Sequence, residues 1–301
     1  LSTEEVKALE TNSYPYSNPV LTEDGQIMLY VSDGDSTDIA DTKVQWTRMT
    51  GERYSKGEAV ETSPGGYGDS QLKLAGNKSF ASAVWVRQGE KINKEAGEAV
   101  TNADIALISN STEIMAAIYN GTSWAATQLT NNAAPDIAPA VATNGDKVLV
   151  AWRNVYAPDS GNPLNFSSSD TILYRIYSKG SGEWSKAQTL YNGTSGAVKG
   201  LEAAMLEDGT SAVAYTIDAN DIVDSGSADP NAVSSSLETV CAVVGNDGEV
   251  LKNVRYTNDT YLDENPQITT VKFDDTIERF VLGWYSEHDA DGVKVNDIRL
   301  C

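Results

Sequence analysis

The sequence predicts an all-β protein built from five copies of one antiparallel unit, and three observations predict it. A hairpin pattern recurs five times, each copy closes on an aromatic residue, and a fainter strand pair follows the hairpins. The pattern is plainest in "PDIAPAVATNGDKVLVAWRN", Pro135 to Asn154, where Asn-Gly-Asp separates two apolar runs. Asn-Gly between alternating hydrophobics marks a type I′ hairpin, because both central residues of that turn need positive φ.

The hairpins in chain order are "NPVLTEDGQIMLYVSD" (Asn18 to Asp33), "DSQLKLAGNKSFASAVWVRQ" (Asp69 to Gln88), the Pro135–Asn154 stretch, "LEAAMLEDGTSAVAYTID" (Leu201 to Asp218) and "NPQITTVKFDDTIERFVLGWYSE" (Asn265 to Glu287). Their aromatics, Tyr30, Trp85, Trp152, Tyr215 and Trp284, recur roughly every 55–70 residues, a period that marks a repeat architecture. The fainter pairs also align. "TILYRIYSKGSGEWSKAQTLYNG" from Thr171 matches "EIMAAIYNGTSWAATQLTNN" from Glu113, with Tyr177 on Tyr119 and Trp184 on Trp124. "ETVCAVVGNDGEVLKNVRYTND" from Glu238 repeats the unit without the aromatics, and "TKVQWTRMTGERYSKGEAVET" from Thr42 is a looser copy. Each period is therefore four antiparallel strands, and four-stranded units repeated radially are the blades of a β-propeller.

The fifth unit ends after its third strand, at "NDIRLC". Its fourth strand is expected from the other end of the chain, since "EVKALETNSYPYSNPVLT" from Glu5 resembles "EVLKNVRYTNDTYLDENPQIT" from Glu249. Closure of that kind removes exposed sheet edges. The expected organisation is one domain over residues 1–301, with blades at about 13–62, 63–132, 133–194, 195–258, and 259–301 completed by 1–12.

Composition limits the partners. With 301 residues of which 40% are hydrophobic, the chain can bury a substantial core. No apolar run approaches the roughly 18 residues of a membrane span, so no membrane insertion is expected. The opening "LSTEEVKALE" is polar and acidic, unlike a signal peptide, and it lacks an initial Met, as expected of a processed protein or an excised domain. A net charge of −21, from 43 acids and 22 bases, argues against nucleic acid and anionic membranes, which are bound through clustered Lys and Arg. Two cysteines and one histidine exclude a zinc site of the usual ligands. Cys241 and Cys301 align on third strands of adjacent blades, where packed sheets stand about 10 Å apart. A disulfide needs Cα atoms at about 4.4–6.8 Å, so a buried thiol at Cys241 and a terminal one at Cys301 are expected over a bridge.

The blade pattern resembles five-bladed propellers, and more loosely the sialidase-like repeat proteins, over nearly the whole chain. The turn motif of sialidase blades, Ser-x-Asp-x-Gly-x-x-Trp, is not met: before Trp124 only Gly121 fits, and before Trp184 nothing does. The resemblance implies a central funnel framed by the starts of strands 1 and the ends of strands 2. Those positions hold Tyr14, Tyr16, Tyr67, Asp69, Asp136, Glu202, Asp263 and Glu264, and Asp33, Arg87, Arg153, Asp218 and Glu287. The strand 2–3 connections are long, at roughly Asp33–Asp41, Arg87–Thr112, Arg153–Asp170, Ile217–Leu237 and Ser286–Asn296, and long loops on a rigid scaffold are where binding concentrates. Short helices are expected in "VTNADIALISN", capped by Thr101 or Asn102, and in "DPNAVSSS" from Asp229.

Three functions compete. The first expectation is a non-catalytic binding or adhesion module, secreted or on a bacterial cell surface, monomeric and part of a larger protein. Its ligand would be a carbohydrate or a surface protein, held by Tyr14, Tyr16, Tyr67, Arg87, Arg153, Tyr156, Glu264 and Tyr285. The repeated Trp85, Trp152 and Trp284 are instead expected to pack between blades. The second is a glycoside hydrolase, which the resemblance brings in because such propellers include hydrolases with an inward-facing carboxylate pair. Asp69, Asp136, Glu202 and Asp263 are the candidates. "NPV" at Asn18 resembles the start of those hydrolases, but the Asp-Pro carrying their first catalytic aspartate is replaced by Thr22, Glu23 and Asp24. An arginine triad of sialidase type is also missing. The third is an architectural spacer. No cofactor is required, but "DGDSTD", with Asp33, Asp35 and Asp38, and "DADG", with Asp289 and Asp291, could wrap Ca²⁺ through oxygen ligands. Solvated acidic loops are the commoner reading of such runs.

Overall fold

The computed structural model describes residues 13–16, 20–23, 25–32, 42–50, 53–55, 57–61, 67–77, 80–94, 97–156, 169–193, 199–220, 222, 229–274 and 277–301. Five antiparallel sheets follow one another along the chain. The first holds β1 (Ser13–Tyr16), β2 (Val20–Thr22), β3 (Gly25–Ser32), β4 (Lys43–Thr50), β5 (Arg53–Tyr54) and β6 (Glu58–Ala59). There β1 and β2 both pair with β3, and β5 and β6 both pair with β4, so six short strands fill four positions. The second runs β7 (Gly68–Asn77), β8 (Phe80–Gln88), β9 (Thr112–Tyr119) and β10 (Trp124–Gln128), with helix α1 (Asn102–Ser109) between β8 and β9. The third has β11 (Asp136–Thr143), β12 (Lys147–Tyr156) and β13 (Ser169–Ser178), with β14 (Glu183–Trp184) and β15 (Gln188–Asn192) sharing its fourth position. The fourth has β16 (Lys199–Met205), β17 (Ser211–Asp218), β18 (Leu237–Val244) and β19 (Val250–Arg255), with helix α2 (Pro230–Ser234) before β18. The last has three strands, β20 (Leu262–Lys272), β21 (Glu278–Ala290) and β22 (Val293–Leu300).

The two helices follow from their caps. The Thr101 hydroxyl accepts from the Asp104 N–H while the Asp104 carboxylate takes the Thr101 N–H, a capping box that satisfies two of the orphan amides of α1. Asp229 caps α2 ahead of a proline at its first position.

Side-chain alternation assigns each face of a strand to a neighbouring sheet. Ala83 and Trp85 of β8 pack with Leu29, Val31 and Trp46 of the first sheet, while Val84 and Val86 pack with Val148, Val150 and Trp152 of the third. Leu149 and Ala151 then meet Val213 and Tyr215, and Ala212, Ala214 and Cys241 meet Leu282 and Trp284. Trp85, Trp152, Tyr215 and Trp284 thus each pack toward the preceding sheet. Trp85, Trp152 and Tyr215 are fully buried and Trp284 is 8% exposed, as expected of packing residues. The first strands of the five sheets line one common cavity of about 660 Å³, with Val20, Leu74, Ala142, Ala204 and Ile268 on its wall.

A feature without a local sequence signal recurs in the first strands. Gln71, Ala138, Gly200 and Asn265 take φ of 52°, 50°, 62° and 52°, and each sits in a β-bulge where the pairing with the second strand shifts. Only Gly200 enters the left-handed region without a side-chain penalty, and its missing Cβ leaves room for Pro266.

Three expectations need comment. The connection from Ser286 to Asn296 is not a long loop: β21 and β22 pair through to Ala290 and Val293, leaving a two-residue turn. Its central residues, Asp291 (φ 55°) and Gly292 (φ 78°), have the positive φ of a type I′ turn. Both cysteines are free thiols, Cys241 buried and Cys301 exposed, and burial pushes the Cys241 thiol up to about 11. The closing segment 1–12 and the loop with Asp33, Asp35 and Asp38 lie outside the described residues.

Candidate functional site

The cavity framed by the first strands is where the repeat brings five chain segments together. The first residue to re-pair after each bulge is Lys73, Ala140, Glu202 or Gln267, in successive sheets. Of these, Lys73, Glu202 and Gln267 line the cavity. Lys73 Nζ reaches Glu202 Oε1 at 2.6 Å, an ion pair that joins the second sheet to the fourth. Thr143, Thr269 and Thr270 add hydroxyls to a wall otherwise made of aliphatic side chains and backbone. Glu202 is the one carboxylate among the described lining residues, and no aromatic side chain lines the cavity there.

The other three members of the sequence-derived acid set lie elsewhere. Asp69, Asp136 and Asp263 are the first or second residues of their strands, two residues before the positive-φ position of the bulge, and all three are buried in the interior. Asp136 accepts from Trp152 Nε1 at 2.8 Å, Asn154 Nδ2 at 2.7 Å and Asn132 Nδ2 at 2.7 Å. Asp263 accepts from Trp284 Nε1 at 3.0 Å. Asp69 accepts from Arg87 Nε at 2.8 Å and from the Val44 N–H at 3.2 Å. Burial raises the proton affinity of Asp136 and Asp263, partly offset by these donors. A facing carboxylate quartet is therefore not assembled. Glu202 stands in the cavity, and the three aspartates clamp the sheet packing.

The residues expected to hold a ligand divide in the same way. Arg87 also reaches Glu61 Oε2 at 2.6 Å, and Arg153 Nη2 reaches the buried Asp170 at 2.6 Å, so both guanidiniums are engaged by acids of the fold. Half-buried Tyr67 carries Lys91 Nζ at 5.3 Å from its ring centroid. Glu264 and Tyr285 are paired across β20 and β21, where the Tyr285 hydroxyl lies 3.1 Å from Glu287 Oε2 and 3.0 Å from Asn296 Oδ1. The side chains of Tyr14, Tyr16 and Tyr156 lie outside the described residues. In the metal candidate "DADG", Asp289 Oδ1 accepts the Gly292 N–H at 2.8 Å, the work of a turn residue. The carboxylates that do converge among the described residues are Glu238, Asp259 and Asp263, a trio not singled out from the sequence.

No family model matches the chain, and no curated protein matches it. Solved structures do. A Hadza microbial sialidase aligns over 92% of this chain and 56% of its own length, at 10% identity and a TM-score of 0.50. A thermostable family-43 glycoside hydrolase aligns over 95% of this chain and 96% of its own, at 9% identity and a TM-score of 0.42. The subtype N11 neuraminidase-like protein of A/flat-faced bat/Peru aligns over 98% and 88%, at 11% identity and a TM-score of 0.41. At such identities the likeness is one of fold alone: the chain has an all-β, propeller-type fold. It spans little more than half the length of the sialidase structure. Among the described residues no helix is long and apolar enough to cross a membrane.

Proposed function

We propose that the chain is a closed five-bladed propeller that binds carbohydrate without cleaving it, as a monomeric, secreted or cell-surface module of a larger bacterial protein. One observation carries the non-catalytic part. Glycoside hydrolysis by paired carboxyls needs two of them roughly 5–9.5 Å apart across the sugar. The described cavity wall offers Glu202 alone, already tied to Lys73. The charged pair, the Gln267 amide and the threonine hydroxyls are groups that hydrogen-bond sugar hydroxyls, and the sialidase-like fold supports carbohydrate as the ligand class.

Two features support closure. Tyr30 lies on the face of β3 opposite Leu29 and Val31, which pack on the second sheet, so it faces where a preceding blade would stand. At the other end β22 pairs only with β21 among the described strands, and Ile298 and Leu300 are more than 70% exposed beside an apolar groove that Trp284 and Tyr285 also line. Residues Leu1 to Thr11 are the proposed cover. Deleting them lowers the melting temperature of the whole domain, whereas an unchanged melt removes the closing strand.

The function is tested by a glycan array alongside hydrolysis assays on host and plant polysaccharides. Saturable binding weakened by Lys73→Met and Glu202→Gln, with no sugar released, is expected. Turnover abolished by Glu202→Gln would make the chain a glycoside hydrolase, and neither binding nor turnover would leave a spacer.

A further inference from the structure

Two junctions between sheets are built on the same plan. Between the second and third sheets, Glu113 lies at the start of β9, Thr130-Asn131-Asn132 follows β10, and Asp136 opens β11. Between the fourth and fifth, Glu238 lies at the start of β18, Thr257-Asn258-Asp259 follows β19, and Asp263 lies at the start of β20. The contacts repeat. The threonine hydroxyl accepts a strand N–H, from Ile114 at 2.8 Å and from Thr239 at 2.9 Å. The third residue of the triplet donates its N–H to the glutamate, Asn132 to Glu113 at 2.9 Å and Asp259 to Glu238 at 3.1 Å. A tryptophan indole donates to each aspartate.

Three residues differ: Ser286 stands where Asn154 donates to Asp136, Arg255 stands where Gln128 precedes Thr130, and Asp259 replaces Asn132. The last exchange bears most directly on the aspartate. At the first junction the Asn132 amide donates to Asp136 Oδ2 at 2.7 Å. At the second, that place is taken by Asp259, which when ionised has no proton to donate. Asp263 Oδ2 then has no donor within hydrogen-bond distance, though the Ser286 and Thr257 hydroxyls stand near its carboxylate, and Glu238 Oε2 has none either, in residues 0% and 1% exposed. Ligand oxygens of Glu238, Asp259 and Asp263 all lie within 4.8 Å of one another. The nearby cations go to other atoms: Arg255 Nη2 to Glu238 Oε1 at 2.8 Å, and Arg299 Nη1 to Asp259 Oδ2 at 3.6 Å. Two guanidiniums against three carboxylates leave a negative charge with unused lone pairs in a buried position, which is costly unless something positive meets them.

We propose that Glu238, Asp259 and Asp263 bind one Ca²⁺ at this junction, tying the fifth sheet to the fourth. An all-oxygen set containing both buried and exposed carboxylates suits Ca²⁺, which accepts irregular coordination of six to eight oxygens completed by water, better than Mg²⁺, which demands near-ideal octahedral geometry. The first junction is the built-in comparison. Glu113 Oε2 is also unpartnered there, but only two carboxylates meet and Asn132 satisfies the aspartate.

The test is calorimetric titration of chelator-stripped protein with CaCl₂, with thermal melts in EDTA and in millimolar calcium. The native chain is expected to bind calcium and melt higher with it, because a ligand of the folded state stabilises by mass action. Asp259→Asn, which restores the amide that Asn132 supplies at the first junction, should lose at least tenfold in calcium affinity and melt above the native chain in EDTA. Glu238→Gln should also lose at least tenfold. Terbium supplies a local probe, since the Trp284 indole bonded to Asp263 should sensitise its emission, and calcium should quench that signal by displacement. No binding heat with identical melts overturns the proposal. So does calcium or terbium binding that survives undiminished in both variants, which would move the ion to another site.

Discussion

Asp136→Ala separates a clamp from a ligand-binding carboxylate. Asp136 is fully buried and accepts three side-chain hydrogen bonds, from Trp152, Asn154 and Asn132. Truncation orphans these donors unequally. Trp152 is 0% exposed, so its indole N–H finds no water and loses about 1–3 kcal/mol. Asn154 is half-buried and should forfeit about 1 kcal/mol, while Asn132 is exposed and turns to solvent. Removing a carboxylate that is costly to bury returns part of this, so the net loss should be about 2–4 kcal/mol. Asp136→Asn keeps one acceptor oxygen and should lose roughly half as much. Urea unfolding followed by tryptophan fluorescence measures both, read from a lower midpoint at unchanged slope. A loss below about 1 kcal/mol for the alanine variant would refute the clamp. Impaired glycan binding in a variant of undiminished stability would return Asp136 to the site.

Two further outcomes are expected. Ala138 holds φ at 50° while its N–H donates to Gln71 Oε1 at 2.7 Å, so Ala138→Gly should relieve strain, keep that bond and stabilise by about 0.5–1 kcal/mol; a lower urea midpoint would contradict this. Burial raises Glu113, Asp136 and Asp263 above 4.5, 3.8 and 3.8, so the folded chain holds their protons after the unfolded chain has released them. Their stabilising contribution is then present below those reference values and is lost as pH rises through the raised ones. Melting temperature should climb on acidification from pH 7 toward the 3.8–4.5 reference values in metal-free buffer, and less steeply in Asp136→Asn than in the native chain; equal slopes would exclude Asp136 as a contributor.

The hairpins were legible because their signals are local. Alternation fixes the strand faces, Asn-Gly and Asp-Gly mark the turns, and an aromatic of large buried area recurs at one place in each unit. Both short helices were also legible, through Thr101 and Asp229, since a cap is a two- or three-residue contact. The turn after Asp289 was not. Four residues of Asp, Ala, Asp and Gly resemble a loop in composition, while β22 continues the ladder with exposed Val293, Ile298 and Leu300. An edge strand that buries little carries a weak pattern.

The bulges account for the misplaced acids. A bulge adds one residue to one strand and changes which side chains share a face beyond it. Gly200 is the only glycine among the four positive-φ positions; Gln71, Ala138 and Asn265 carry no local mark of that conformation. An alignment on the starts of first strands therefore sets Glu202 beside Asp69, Asp136 and Asp263. The bulges make it equivalent to Lys73, Ala140 and Gln267, the first residues to re-pair, of which Lys73 and Gln267 share the cavity wall with it. In the fourth unit the sequence has Val198 two residues before Gly200, where the other units have aspartate, and the Tyr215 hydroxyl bonds Asn253. The exchange of Asn132 for Asp259 is visible in sequence as Thr-Asn-Asn against Thr-Asn-Asp, each ending four residues before an aspartate. Its meaning is not visible there. An amide and a carboxylate are close to isosteric, and only the donor count shows that Asp136 has both oxygens engaged while Asp263 keeps one buried oxygen unpartnered.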